Sequence, residues 1–169
     1  MSFRLEHSTE RTVVRDTPQG MWAFGAAFVM SGLTVLLGGV GSDKWPEFPL
    51  WVRAVILAIG LSHLIAGCYW VWRYEATVTT FDHVTGDGTH AVRRPFRRDT
   101  TVRHFRVADV QTIELRRHAD SEGDPMYQLH LWLAESRVLP LQGAPAHNIP
   151  RGERNAAALR EALRLPARA

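Results

Sequence analysis

Residues 20–41 read GMWAFGAAFVMSGLTVLLGGVG and contain no charged side chain. About 20 consecutive apolar residues are enough for an α-helix to cross the hydrocarbon core of a bilayer. The residues just before them, Asp16, Thr17 and Pro18, are typical of a helix start, where a capping side chain is followed by proline. A cleaved signal peptide would instead have a shorter apolar core directly after a basic segment. The stretch therefore predicts a transmembrane helix.

A second apolar stretch, residues 50–72, reads LWVRAVILAIGLSHLIAGCYWVW and also has spanning length. Arg53 lies one turn from its start, where a guanidinium can reach the membrane interface while its stem stays among apolar groups. Only residues 42–49 separate the two stretches, so we expect an antiparallel helical hairpin. Aromatic rings favour membrane boundaries. Five tryptophans lie at the predicted boundaries: Trp22, Trp45, Trp51, Trp70 and Trp72.

The distribution of basic residues predicts the orientation of the hairpin. Arginines occur before the first stretch and after the second, whereas the connecting loop has only Lys44. Loops rich in lysine and arginine remain on the cytoplasmic side. We therefore expect a bacterial inner-membrane protein in which both termini are cytoplasmic and residues 42–49 are periplasmic.

Beyond residue 74 the pattern changes to the period-two alternation of β-strands. Residues 75–82 and 90–94 flank a Gly-Asp-Gly turn at 85–88, which is typical of a β-hairpin. Further strands are predicted at 101–107, 110–117, 126–133 and 137–141, and an amphipathic helix at 151–165. The N-terminal arm, residues 1–19, also alternates, so we expect it to add a strand or short hairpin to this domain.

Four segments of this region carry a resemblance to a known family. They are FRVADVQTIELRRH, DPMYQLHLWL, RVLPLQ and AAALREALRL, which lie between residues 105 and 165. The region resembles the pleckstrin-homology-like domains that are attached to short membrane hairpins in bacteria. The resemblance implies a barrel-like antiparallel sheet capped by a C-terminal helix and used as an interaction module. The expected fold class is thus membrane α+β, with residues 73–169 as the cytoplasmic domain.

No catalytic motif occurs in the sequence: there is no phosphate-binding loop, no GxSxG, no HExxH and no dinucleotide fingerprint. We therefore expect no enzyme activity. Cys68 is the only cysteine, which excludes an intrachain disulfide. His118 and Asp120 would form a metal site only if they folded against another histidine, and we expect them to be surface residues instead. Nucleic acid binding is not expected, because few aromatic residues interleave the basic ones.

Six arginines lie close together in sequence around Pro95 and Phe96: Arg93, Arg94, Arg97, Arg98, Arg103 and Arg106. A basic cluster near the membrane exit has three interpretations. It binds anionic lipid head groups, with each charge contributing about 1 kcal/mol near the surface; it forms ion pairs with an acidic partner subunit; or it is a solvated face.

His63 lies near the middle of the second apolar stretch, where an ionisable side chain is costly and faces protein or a cofactor rather than lipid. We expect a neutral imidazole that is hydrogen-bonded to the other helix or to a partner. The alternative is an axial ligand to haem or bacteriochlorophyll. The segment GLSHLIAGCYWVW is similar to the histidine helices of bacterial light-harvesting polypeptides, which implies the pigment.

Small residues predict where the helices pack. Gly25, Gly32 and Gly39 recur every seven residues in the first stretch, and Ala58, Ser62 and Ala66 recur every four in the second. Such stripes allow close approach of another helix in a membrane.

These features favour a non-catalytic accessory, assembly or stabilising subunit of a larger inner-membrane complex. The chain is similar in architecture to one family of bacterial photosynthetic-complex assembly proteins, which implies a photosynthetic complex; a respiratory complex is the other candidate. The rival hypothesis is a sensor of anionic membrane lipids. A further alternative is a pigment-binding or haem-binding subunit that uses His63.

Overall fold

The computed structural model describes residues 2–95, 100–119, 123–142, 146 and 148–165. The chain divides into two compact units. One unit is Gln19–Tyr74, and the other combines Met1–Pro18 with Glu75–Ala169. The N-terminal arm is therefore part of the β-rich domain, although the helical segment separates the two in sequence.

The helical unit contains α1 (Gln19–Val40) and α2 (Leu50–Arg73), which confirms the two predicted helices. Both are long and apolar enough to cross a membrane. Only 11% of the most apolar stretch of each helix is buried within the protein. The core helix of a soluble protein would be mostly buried, because its apolar stripe faces other elements.

The loop between the helices is attached to α2 by Arg53. The Nε of Arg53 donates a hydrogen bond to the carbonyl oxygen of Phe48 at 2.8 Å, and its guanidinium also donates to the carbonyl oxygen of Pro46. The guanidinium carbon lies 6.0 Å from the centre of the Trp45 ring. Because both carbonyl acceptors belong to the loop, the guanidinium of Arg53 holds the loop against the start of α2.

The first sheet has five antiparallel strands in sequence order. They are β1 (Ser2–His7), β2 (Arg11–Thr17), β3 (Ala76–Asp82), β4 (Asp87–Arg93) and β5 (Thr100–Arg106). In β2 and β3, Asp16 lies opposite Thr77. The two helices therefore lie between β2 and β3 in the sequence, although β2 and β3 are hydrogen-bonded neighbours in the sheet.

The second sheet contains β6 (Val110–Ala119), β7 (Pro125–Leu133) and β8 (Val138–Pro140), all antiparallel. It is followed by α3 (Ile149–Ala162), whose first turn is capped by the side chain of Asn148. The predicted barrel-like closure is wrong, because the described strands form two separate sheets rather than one closed sheet. A 3₁₀ turn at Val107–Asp109 separates β5 from β6, and β6 pairs with β7 rather than with β5.

The core of this domain draws side chains from both sheets and α3. Its fully buried members include Phe81, Ile113, Leu129, Leu131 and Leu159. The alternation that predicted the strands has its physical basis here, because every second residue of β3 and β7 faces this core.

The β3–β4 turn lies two residues earlier than the Gly-Asp-Gly motif predicts. It occupies residues 83–86, and Gly86 adopts a φ of 76° there. Gly88 lies within β4 and is covered by Phe105: a methyl group on Gly88 would lie 2.2 Å from that ring. The second glycine of the motif thus serves packing rather than the turn.

The β7–β8 turn is strained, and glycine should relieve the strain. Glu135 and Ser136 both have a φ of 60°, a left-handed conformation that costs a residue with a Cβ about 1–2 kcal/mol. We expect Ser136→Gly to raise the free energy of opening at the β7 amides by roughly 1 kcal/mol, as measured by hydrogen exchange. Glu153→Gly, in the exposed part of α3, should lower stability instead. Equal or lower protection of the β7 amides in Ser136→Gly would show that the left-handed conformation of Ser136 does not strain this turn.

Candidate partner-binding surfaces

Glycines bring the two helices into backbone contact. A methyl group on Gly32 would lie 2.7 Å from the carbonyl oxygen of Gly60, and one on Gly25 would lie 2.9 Å from that of Gly67. At Gly39 a methyl group would lie 2.6 Å from Ile56. No side chain fits at these positions, so the seven-residue glycine repeat of α1 lies along α2.

On α2 the contact residues are Gly60 and Gly67, not the predicted small residues. Ala58 and Ser62 are exposed, and Ala66 is half-buried. Because 3.6 residues make one turn, Ala58 and Ser62 lie on the side of α2 roughly opposite Gly60 and Gly67. The missed signal was the seven-residue spacing of Gly60 and Gly67, which matches that of α1. Helix α2 consequently has two small-residue faces, of which α1 covers one.

The uncovered face of α2 also carries large apolar side chains. Trp51 is 69% exposed, Ile65 70% and Tyr69 53%. They flank Ala58 and Ser62 at helical spacing. Contiguous apolar surface of this kind marks a site for lipid or for another protein.

His63 bonds to its own helix. Its Nδ1 lies 2.8 Å from the carbonyl oxygen of Ile59, and its ring stacks on Phe28 of α1 with centres 5.4 Å apart. The expected bond to the other helix is therefore replaced by a backbone bond within α2. A carbonyl cannot donate, so Nδ1 carries the hydrogen and, in the neutral ring, Nε2 has the free lone pair.

The described arginines of the predicted cluster do not form one patch in the structure. Arg93 and Arg94 are exposed at the end of β4, and Arg94 forms an ion pair with Glu75. Arg103 lies on the opposite face of the sheet from Arg93, and Arg106 lies at the far end of β5, opposite Asp87. Extended strands separate residues by about 3.4 Å each, so closeness in sequence does not make one patch. Arg97 and Arg98 lie outside the described residues.

The structure shows a basic surface that the sequence did not predict. It contains residues of the N-terminal arm and of β4. Arg4 and Arg15 lie directly opposite each other on β1 and β2, and both are exposed. The pairing register places them on the same face as Arg93. We call Arg4, Arg15 and Arg93 the outer basic face. Like charges opposite each other destabilise a sheet unless an anion lies between or above them.

A groove of about 590 Å³ lies at the turn end of the first sheet. Its lining contains both basic and acidic residues, with Arg11 and His104 beside Asp82 and Asp87. The Oδ1 of Asp82 accepts from the backbone N–H groups of Val84 and Thr85 at 2.9 Å each, and these bonds lower the pKa of Asp82. This carboxylate therefore stabilises the β3–β4 turn.

Two buried polar side chains meet between β3 and β4. The Nδ1 of His90 lies 2.8 Å from the hydroxyl of Thr79, and both residues are buried. Burial, and to a smaller extent the positive charge of Arg103, lower the pKa of His90 to about 4, whereas Glu75 opposes the shift. His90 is therefore neutral at physiological pH and serves the interior of the sheet.

The lowered pKa of His90 makes the domain acid-sensitive. Between about pH 6.5 and about 4 the unfolded chain binds a proton at His90 that the folded domain excludes, so stability falls as pH falls, by on the order of 2 kcal/mol. Urea unfolding followed by circular dichroism should show this loss. In His90→Gln the pH dependence should be smaller, whereas exposed His104→Gln should retain it; equal slopes in all three proteins would contradict the role of His90.

Comparison with protein-family models and with curated proteins finds no match to this chain. The two antiparallel sheets and the terminal helix agree in general terms with the resemblance to pleckstrin-homology-like domains.

Proposed function

We propose that this chain is a non-catalytic accessory subunit of a larger complex in the bacterial inner membrane. Its hairpin binds the transmembrane part of that complex, and its β-rich domain binds the cytoplasmic part. The observation that carries the proposal is the second small-residue face of α2, which α1 does not cover.

This face has the composition of a helix-packing surface. Within a bilayer, helix association depends on close backbone approach, because lipid tails are as apolar as the side chains that they would replace. Ala58 and Ser62 offer that approach, and the exposed Trp51, Ile65 and Tyr69 surround them. A helix that faced only lipid would have no use for small residues at this spacing. The occupant that we propose is a transmembrane helix of the partner complex.

The strand pairing supports a hairpin with both ends on one side of the membrane. Strand β2 leads directly into α1, α2 leads into β3, and β2 and β3 are hydrogen-bonded neighbours. A bilayer cannot lie between paired strands. The arginines of the arm and of the domain favour the cytoplasm for that side. We therefore propose that both termini are cytoplasmic and that residues 42–49 are periplasmic.

The outer basic face supports docking to an acidic surface. Arg4 and Arg15 repel each other across the β1–β2 pair, and an acidic partner group would remove that repulsion. The hairpin raises the effective concentration of the domain at the same complex, so two modest contacts reinforce each other. The resemblance to pleckstrin-homology-like modules supports a binding role, and a photosynthetic or respiratory complex remains the proposed partner.

Substitution of Ser62 tests the membrane contact. Ser62→Ile adds bulk to the smooth face, whereas Ser62→Ala keeps it smooth. After native purification in mild detergent, the partner should copurify with the wild type and with Ser62→Ala but be reduced at least several-fold with Ser62→Ile. Equal recovery with both variants would refute this contact.

Charge reversal separates partner docking from the rival function, sensing of anionic lipid. The double variant Arg4→Glu, Arg93→Glu changes the outer basic face. Arg103→Glu with Arg154→Glu, at exposed positions outside that face, is the control with the same change in charge. A docking subunit should lose its partner at lower salt only in the first variant. Strong, salt-sensitive binding of the lone wild type to anionic liposomes, without any copurifying protein, would favour the lipid sensor.

The geometry of His63 favours a second candidate function, pigment or haem binding. The Nδ1 bond to Ile59 holds the imidazole in the tautomer that leaves Nε2 available as a ligand. A pigment or haem bound at Nε2 would give the subunit visible absorbance. Visible absorbance of the pure protein that disappears in His63→Leu would establish this function; a colourless protein would leave His63 with its structural role.

A further inference from the structure

The second sheet brings two histidines together on its outer face. Leu129 and Leu131 of β7 face the core, so the intervening His130 faces away from it. His118 of β6 lies on the same outer face, and the two imidazole centres are 5.8 Å apart with planes 32° from parallel. His118 is thus folded against another histidine, which was part of the condition for a metal site at His118 and Asp120, although the sequence favoured surface residues without a metal.

Among the residues that the structure describes, four buried ring nitrogens of this patch have no hydrogen-bond partner. They are Nε2 of His118, both nitrogens of His130, and Nε1 of Trp132. His130 is only 8% exposed. Leaving a buried polar group unsatisfied costs about 1–3 kcal/mol, so such groups call for a water, an ion or a ligand. Trp132 can only donate, but neutral imidazoles can accept a metal.

The spacing of the two rings suits one shared metal ion. Imidazole nitrogens bind Zn²⁺ at about 2.0–2.1 Å, and two such ligands at a tetrahedral angle place their ring centres roughly 5 Å apart, so a small movement of the side chains from 5.8 Å is enough. No group of three histidine, cysteine or carboxylate ligands occurs among the residues that the structure describes. The pair therefore supplies two ligands, and water completes the coordination. Asp120 lies outside the described residues.

Nearby charges set the expected affinity. Glu114 lies opposite His130 on the same face and favours a cation there, whereas Arg116 opposes it. Only two imidazoles bind the metal ion, and the charges of Glu114 and Arg116 partly cancel. We therefore expect a micromolar rather than a nanomolar dissociation constant.

We propose that His118 and His130 form a binding site for one divalent transition-metal ion of the class that prefers imidazole, namely Cu²⁺, Ni²⁺ or Zn²⁺. Mg²⁺ and Ca²⁺, which prefer oxygen ligands, should not compete. The site is independent of the proposed subunit function, because it uses neither the helices nor the outer basic face.

Metal titration of the full chain tests the site. The protein is purified in detergent through a tag without histidine, stripped with chelator, and titrated with Cu²⁺ or Zn²⁺ in a calorimeter. We expect one equivalent to bind, and His118→Gln to weaken binding at least about tenfold. His104→Gln, on exposed β5, is the matched control, and Trp132→Phe should keep the metal because it removes only a donor. The electron spin resonance spectrum of the Cu²⁺ form should show two nitrogen ligands.

Either of two results would overturn the proposal. One is the absence of saturable binding by the wild type, which would mean that water alone satisfies these nitrogens. The other is binding that survives in His118→Gln or is lost equally in His104→Gln. His118 is only partly buried, so its variant should keep the circular dichroism of the wild type. Since His130 is more buried, His130→Gln is used only as a second variant.

Discussion

Replacing Gly32 with leucine should open the helical hairpin, whereas the same change at Gly38 should leave it closed. Even a methyl group on Gly32 would lie 2.7 Å from the carbonyl oxygen of Gly60 and 2.9 Å from the backbone nitrogen of Leu64. Backbone atoms cannot move aside as a flexible side chain can, so the helices must separate. At Gly38 a methyl group has no neighbour within 4 Å.

The expected loss for Gly32→Leu is about 3 kcal/mol, at the upper end of ordinary overpacking. Unfolding in mixed detergent and dodecyl sulfate, followed by helical circular dichroism, measures it. The midpoint should shift to a lower fraction of dodecyl sulfate for Gly32→Leu and stay unchanged for Gly38→Leu. Equal midpoints for the two variants would show that the glycine contact does not hold the hairpin together.

Truncating Leu159 to alanine should destabilise the β-rich domain by about 3 kcal/mol. Leu159 is fully buried and belongs to the core formed by both sheets. Removal of a large buried side chain costs 2–5 kcal/mol, because apolar contacts are lost and a cavity remains. Helix α3 would then cover Ile113 and Leu129 less well, so the domain should also aggregate more readily.

Urea unfolding of the domain measures this effect, with Val84→Ala as the control. Val84 is 76% exposed, so its truncation should change stability by less than about 0.5 kcal/mol. If Leu159→Ala were as stable as the control, α3 would not be part of the core.

Local patterns predicted the helices and strands well. The uncharged run at 20–41 corresponds to Gln19–Val40, and the alternation beyond residue 74 yielded six strands near their observed positions. The alternating arm indeed forms a β-hairpin that joins the sheet. Each of these features depends on spacing within one short segment, which is what periodicity measures.

Features that depend on distant pairing were not predictable in the same way. Barrel closure would require β5 and β6 to continue one sheet, and no local pattern encodes that pairing. The outer basic face requires the register of three strands, since Arg4 and Arg93 are far apart in sequence. The meeting of His118 with His130 likewise depends on how β6 and β7 twist. The seven-residue spacing of Gly60 and Gly67 could have predicted their contact with α1. However, Ala58 and Ser62 form a second small-residue face, and the sequence does not show which face contacts α1.

If the chain is a subunit of a larger membrane complex, the mass and composition of its native particle will show the other subunits. The chain is isolated from its own membranes in mild detergent through a tag at one terminus, and the particle is analysed by native mass spectrometry. We expect a particle with a fixed ratio of this chain to other integral membrane proteins. A lone chain, or a homo-oligomer without other proteins, under conditions that preserve known membrane complexes would contradict it.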